Sequence, residues 1–155
     1  MAHIGFDLAA ALPSLIPKAI EWANERESEI MASGLPFNEH GLSLARRVGV
    51  ANAERIRIVF VTSLPLPADL LLQQAALHTG LLGPNMVGLT LGYGIYICNG
   101  HNSDRLMSHE CRHVQQYEEA GSIAAYIPKY LQQIAQFGYT DAPYEVDARG
   151  HEISA

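Results

Sequence analysis

His109, Glu110 and His113 occupy positions i, i+1 and i+4 of the stretch Ser108-His109-Glu110-Cys111-Arg112-His113-Val114. On a helix, residues four apart share a face, with Cβ atoms about 5–6 Å from each other. Both imidazoles can then reach one ion at about 2.0–2.1 Å. Glu110 is rotated about 100° round the axis from His109, which takes it out of the ligand pair and lets it lean over the open side of the ion. That spacing implies two metal ligands and a general base for a nucleophilic water. A catalytic zinc site uses three protein ligands and leaves one position free. The third ligand cannot come from the same helix: Gln116 and Tyr117 lie another turn along. The extended His-x-x-Gly-x-x-His pattern is also absent, with Gln116 and Glu119 in those places.

The missing ligand must return on a later helix. Glu145 is the first choice, with Asp147, His151 and Glu152 competing. Asp147 falls on another face, and the two residues beyond Gly150 lie in a chain end poorly suited to holding a ligand rigidly.

The elements that must position these groups are legible from periodicity and stop signals. Residues 14–32 read as a helix stopped by Gly34, with the apolar run ahead of it broken by Asp7 and Pro13. Asn38 caps a second helix to Arg47, 55–61 is a β-branched strand, and 68–79 returns to helix. Residues 87–98 read as one strand with Val87, Leu89, Leu91, Tyr93, Ile95 and Ile97 on one face. Gly88, Gly92 and Gly94 on the other face mark either close approach by a neighbour or a bulge. Ser103 caps the helix that carries the His pair, which Gly121 stops. Ser122 caps a helix to Phe137, broken or restarted at Pro128 and ended by Gly138. Thr140 or Asp141 caps a last helix with Pro143 in its first turn.

At 155 residues the chain is expected to form a single domain. Its divisions would be N-terminal helices (1–50), a strand, helix and edge strand (51–100), and the metal-site helices (101–155). A net charge of −6 argues against nucleic acid, including for the helix pair around 38–50, and against an anionic membrane surface. Two cysteines, Cys98 and Cys111, do not make a disulfide framework, and Cys111 reads as a small buried apolar residue. The first residues carry no basic region and no apolar run spans a bilayer, so a cytoplasmic location is expected, with export by an unmarked route left open. Arg112, Glu118 and Glu119 read as a solvated face, His78 as a helix C-terminal residue, and His3 and His40 as residues without a partner pattern.

Taken with Gln116, Gly121 and the stretch Pro143-Tyr144-Glu145-Val146-Asp147-Ala148, the His-Glu-x-x-His segment resembles the minimal gluzincin type of zinc metallopeptidase. The resemblance covers roughly 87–149. It implies a zincin-like α+β fold: a short mixed sheet packed on a backing helix, with the metal helix beneath the edge strand. It implies one Zn2+ per chain held by His109, His113 and Glu145, the last within the E-x-x-A pattern of 145–148, and Glu110 as the base. The implied partner is a peptide or protein substrate laid along an edge strand, here Gly92, Tyr93, Gly94 and Tyr96. A Tyr or His should stabilise the oxyanion; Tyr130, Tyr139, Tyr144 and His101 qualify, and Tyr139, in the connection leading to Glu145, is preferred. One departure stands out: Arg149 replaces the acidic residue that many gluzincins use to orient a histidine. The alternatives are a zinc-binding scaffold or regulatory domain without turnover, favoured by Arg149 and by a chain too small for a deep specificity pocket, and hydrolysis of a non-peptide amide. The oligomeric state and the identity of the substrate are left open.

Overall fold

Asp7 accepts a hydrogen bond from the Ala10 amide and starts helix α1 (Leu8–Ser33) well before the expected Ser14. In this computed structural model, which describes residues 7–154 and so leaves His3 outside, the helix runs straight through Pro13 and Pro17. Both prolines are on the exposed side, where water can satisfy the carbonyls whose partners they remove. Asn38 caps α2 (Glu39–Arg47) and Ser103 caps α4 (Asp104–Ala120), which ends at Gly121 with φ 100°, as the cap signals require. Asp69 caps α3 (Leu70–His78) and pairs with Lys18 of α1 at 2.6 Å. Helix α5 (Ile123–Asp141) continues past Pro128 and departs from helical geometry at Gly138, which has φ 79°. Its successor α6 (Pro143–Gly150) starts at Ala142 with no side-chain cap, so neither Thr140 nor Asp141 serves as one.

The strands are β1 (Leu35–Pro36), β2 (Arg57–Val61), β3 (Gly88–Leu91) and β4 (Gly94–Cys98), in the sheet order β1-β2-β4-β3. Strand β2 runs parallel to β4; the two outer pairs are antiparallel. Among the described residues the architecture is therefore α+β, six α-helices around a small mixed sheet of four strands.

The expected single strand 87–98 is a hairpin. Leu91 pairs with Gly94 across the two-residue turn Gly92-Tyr93, and Gly92 has φ 66°, a conformation two-residue hairpins demand and glycine supplies. The Glu27 carboxylate fixes the turn by accepting from the Tyr93 amide at 2.9 Å. Folding the strand on itself splits its apolar set between two faces. Leu89 and Leu91 join Tyr96 in the core under α1, α3 and α5, while Ile95 and Ile97 join the core under α2 and α4. Gly88 and Thr90 pair with Ile97 and Ile95 and so share the face that meets the metal helix.

Two side chains expected on a solvated face tie this assembly together. Arg112 donates to Asp147 of α6 at 2.7 Å and to the Val48 carbonyl at 2.8 Å. Glu118 accepts from the Ala51 and Asn52 amides and from the Tyr93 hydroxyl. Only Glu119 of the three is exposed. Burial opposes ionisation of Glu118, but its amide and hydroxyl donors outweigh it and hold the carboxyl below its usual range. A carboxyl shifted down on folding stabilises above the ordinary glutamate pKa, and the contribution is lost as pH falls through the lowered value. Glu118→Gln is thus expected to lower the thermal midpoint at neutral pH, the gap to wild type closing by about pH 3, as thermal unfolding at both pH values would report. His40, read without a partner, meets Asp104 at 2.8 Å. Cys98 and Cys111 are buried and unpaired, and burial pushes the Cys111 thiol well up. Among the described residues no helix is long and apolar enough to cross a membrane.

Candidate metal centre

Helix α4 presents His109 and His113 on one side, and α6 brings Glu145 to them. Glu145 Oε1 lies 3.2 Å from His109 Nε2 and 3.3 Å from His113 Nε2. A tetrahedral zinc with ligands at 2.0–2.1 Å has ligand–ligand edges of roughly 3.3–3.4 Å, so both measured edges match the spacing such an ion requires. The three donor atoms all fall within 4.8 Å of one another. Asp147, His151 and Glu152 are not part of this group.

Each imidazole is fixed from behind. His109 Nδ1 meets Glu152 Oε2 at 2.9 Å, and Arg105 holds the other oxygen of Glu152 at 2.8 Å. His113 Nδ1 meets Gln116 Oε1 at 2.8 Å. The Gln116 amide nitrogen donates to the Tyr144 carbonyl and to Asp147, both acceptors, so its oxygen must face His113. His113 Nδ1 therefore donates to Gln116, which leaves Nε2 as the nitrogen directed at Glu145, the arrangement metal ligation needs. Tyr130 donates to Glu145 Oε2 at 2.6 Å, which leaves Oε1 as the single oxygen directed at the histidines.

The electrostatics fit a cation. Glu110 is 4 % exposed, His113 6 % and Glu145 3 %. Burial, the largest influence on each imidazole, disfavours its charged form, yet Glu145 overrides it, raising His109 and lifting His113 to about 9. Burial likewise opposes ionisation of Glu145, but the His113 charge and hydrogen bonds from both histidines and Tyr130 hold it well below the usual carboxylate range. Glu110 takes a hydrogen bond from the Thr90 hydroxyl at 2.7 Å and, among the described residues, has no ion pair. Glu110 helps raise both imidazoles, whose charge offsets its own, and an ion between the histidines would take over that role.

No protein-family model, curated protein or solved structure matches the chain. The description of the centre therefore rests on its own geometry.

Several expectations need correction here. Glu152 lies in a segment expected to fray, but Arg105 holds its carboxylate, and the Ser108 hydroxyl accepts from the Ile153 amide at 2.8 Å. Glu152 thus does the orienting work that the sequence left without a residue once Arg149 replaced the acidic one. Arg149 itself donates to the Thr140 carbonyl. The four residues expected to pair with substrate do not lie on an open edge. Gly94 and Tyr96 belong to β4, paired on both sides, to Arg57 and Val59 of β2 and to Leu91 and Leu89 of β3. Gly92 and Tyr93 form the turn. A Cβ on Gly92 would collide with Glu27 and one on Gly94 with Ile30, so these glycines serve packing. Strand β3 is an outer strand of the sheet, and a Cβ on Gly88 would sit 2.8 Å from Glu110 Oε2: this glycine makes room for Glu110.

Tyr139 faces Glu145 and, like Tyr130, lines a cavity of about 120 Å³ beside the triad. His101 is exposed, and Tyr144 stacks on Tyr126 at 4.8 Å. The cavity overturns the expectation that so short a chain leaves no deep pocket. Orienting partners of metal-ligating histidines are worth about 10–100-fold in affinity, so Glu152→Gln is expected to weaken zinc binding by that factor, read by competition with a chromogenic chelator.

Proposed function

We propose that the chain is a zinc-dependent hydrolase of peptide bonds, built on a zincin-like fold of the gluzincin type. One observation carries this reading: Glu145 Oε1 stands at a tetrahedral edge distance from both Nε2 atoms, with the Glu110 carboxylate, held by Thr90, on the same helix as the histidines. Zinc bound there would supply a Lewis acid for the scissile carbonyl and acidify a water molecule.

The chain's own groups account for the rest. Glu110, held by Thr90, accepts the proton of the attacking water and returns it to the leaving nitrogen. Tyr130 keeps Glu145 on one oxygen. Tyr139 would be the hydroxyl for the developing oxyanion, since it faces Glu145 and lines the cavity, while Tyr130 holds Glu145 Oε2 at 2.6 Å. The Cys98 amide bonds the Val87 carbonyl, so by the alternation of an antiparallel ladder Gly88 and Thr90 turn their main-chain groups away from β4. The Thr90 carbonyl already accepts from the Tyr117 hydroxyl at 3.4 Å, so the main-chain groups of Gly88, rather than β4, would pair with a substrate backbone.

A zinc-binding scaffold without turnover explains the triad equally well but gives no role to a buried, unpaired Glu110 or to a cavity opening on it. The test is purified protein with about one zinc per chain, incubated with a peptide library. New amino termini that vanish on chelation support hydrolysis; intact peptides at full zinc occupancy overturn it. Tyr139→Phe is expected to lower kcat by roughly 10²–10³ with KM little changed, measured on any peptide the library yields.

A further inference from the structure

The two imidazoles are backed differently. Behind His109 stand a carboxylate and its arginine, Glu152 and Arg105. Behind His113 the carboxylate and arginine are Asp147 and Arg112, with the Gln116 amide set between them and the ring. A carboxylate accepts at either oxygen, so Glu152 serves a ring N–H whichever way it is turned. A primary amide has an accepting end and a donating end, and only one orientation serves a ring that ligates through Nε2.

Four hydrogen bonds bear on that orientation. Gln116 Oε1 meets His113 Nδ1 at 2.8 Å and the Tyr126 hydroxyl at 3.2 Å, while Nε2 donates to the Tyr144 carbonyl and to Asp147 Oδ2, both at 2.9 Å. Reversed, the amide would set its oxygen against two acceptors and its hydrogens against the Nδ1 proton. Gln116 is buried, so water does not repair such a mismatch. The Tyr144 carbonyl is main chain; Asp147 is the acceptor that a side chain supplies. Arg112 fixes it, with Nε donating to Oδ2 at 2.7 Å and Nη2 to Oδ1 at 3.3 Å. The guanidinium is anchored in turn on the Val48 carbonyl at the end of α2, and Gly49 leaves it room, since a Cβ there would stand 3.2 Å from Arg112 Nη1.

We propose that Asp147, clamped by Arg112, is a positioning residue for His113: by accepting from the Gln116 amide nitrogen it keeps the amide oxygen on Nδ1 and so holds Nε2 toward Glu145. That the ring so held ligates an ion rests on the hydrolase reading, whereas the chain of hydrogen bonds behind it does not. The chain is assembled from α2, α4 and α6, so the second histidine is set only when all three helices are packed.

Two substitutions separate positioning from the plain effect of a negative charge near a cation. Asp147→Asn keeps an oxygen for Gln116 and Arg112 and loses the charge; Asp147→Ala loses both. In competition with a chromogenic chelator, Asp147→Ala is expected to weaken zinc about tenfold, the lower end of what partners of ligating histidines contribute, and Asp147→Asn to stay within about threefold of wild type. Equal losses in the two variants, or no loss in Asp147→Ala, overturn the proposal. Proton NMR of the cobalt-substituted protein supplies a signature that general loosening of the fold would not produce. Each ligating ring keeps an exchangeable Nδ1 proton whose signal the paramagnetic ion displaces, and Glu152→Gln, by shifting that of His109, tells the two apart. In Asp147→Ala the His113 signal is expected to vanish by exchange with water while that of His109 persists; in Asp147→Asn both persist. Loss of both signals in Asp147→Ala, or persistence of both, overturns the proposal. Should Asp147→Ala fail to melt cooperatively, Arg112→Met/Asp147→Ala, which also removes the cation left without its carboxylate, takes its place under the same criteria. In the metal-free protein the Gln116 amide hydrogens are expected to exchange slowly, and faster in Asp147→Ala. That result with no uptake of zinc or cobalt would overturn the hydrolase reading and leave the hold of Asp147 on His113 in place; zinc uptake with freely exchanging Gln116 hydrogens in the wild type would do the reverse.

Discussion

Replacing Glu110 by Gln is expected to leave one zinc per chain and to lower kcat on a cleavable peptide by about 10²–10⁴, the range general-base catalysis contributes. Three observations make this substitution selective. Glutamine is isosteric, and its amide oxygen can still accept from the Thr90 hydroxyl that now holds Glu110 at 2.7 Å. The side chain's remaining room is set by Gly88, whose absent Cβ would lie 2.8 Å from Glu110 Oε2, so a planar group of the same size keeps the same seat. No ion pair at contact distance depends on the charge among the described residues, although the charge helps raise both imidazoles. The metal-free variant is therefore expected to melt cooperatively, close to wild type. Parallel kinetics and zinc analysis check the expectation. Turnover surviving within threefold of wild type would remove Glu110 from the mechanism.

The meeting of His109, His113 and Glu145 was legible because helical spacing and a late acidic residue are local patterns, and local patterns survive in a one-dimensional reading. Ser103, Asn38 and Gly121 marked helix ends for the same reason: a cap acts within one turn. What failed was long-range. The stretch 87–98 alternates equally well as one strand or as two, since a two-residue turn preserves apolar spacing while exchanging the faces. Only the glycine at the turn distinguished the two, and Gly92 was weighed as a bulge or a close approach. From that one misreading followed the expectation that Gly92 to Tyr96 lie on an edge strand, where the structure has a turn and an inner strand.

The partners of the ligands were harder still. Glu152 and Gln116 reach the histidines through contacts that depend on how α6 and the segment after it lie across α4. Tyr130 stood among four possible hydroxyls, and nothing in its sequence neighbourhood showed that a helix turn of α5 would aim it at Glu145. The cavity beside the triad has walls from five helices and a strand far apart in sequence, and its apolar residues each read as ordinary core.

His113→Ala should abolish stoichiometric zinc. Losing a ligand must cost more than losing an orienting partner, so affinity is expected to fall by well over ~100-fold. His113 is the sharper choice of the two histidines because it is the more buried. The readout that separates loss of metal from loss of fold is the thermal shift. A ligand at 100 times its dissociation constant stabilises by about 2.7 kcal/mol, which for a chain of this length raises the midpoint by roughly 5–10 °C. Wild type should show that rise on adding zinc and the variant should not, while both melt cooperatively without metal. A variant midpoint that still climbs with zinc would place the ion elsewhere, and Glu145, His109 and Glu110 would then be a buried polar cluster whose charges balance only through protonated imidazoles.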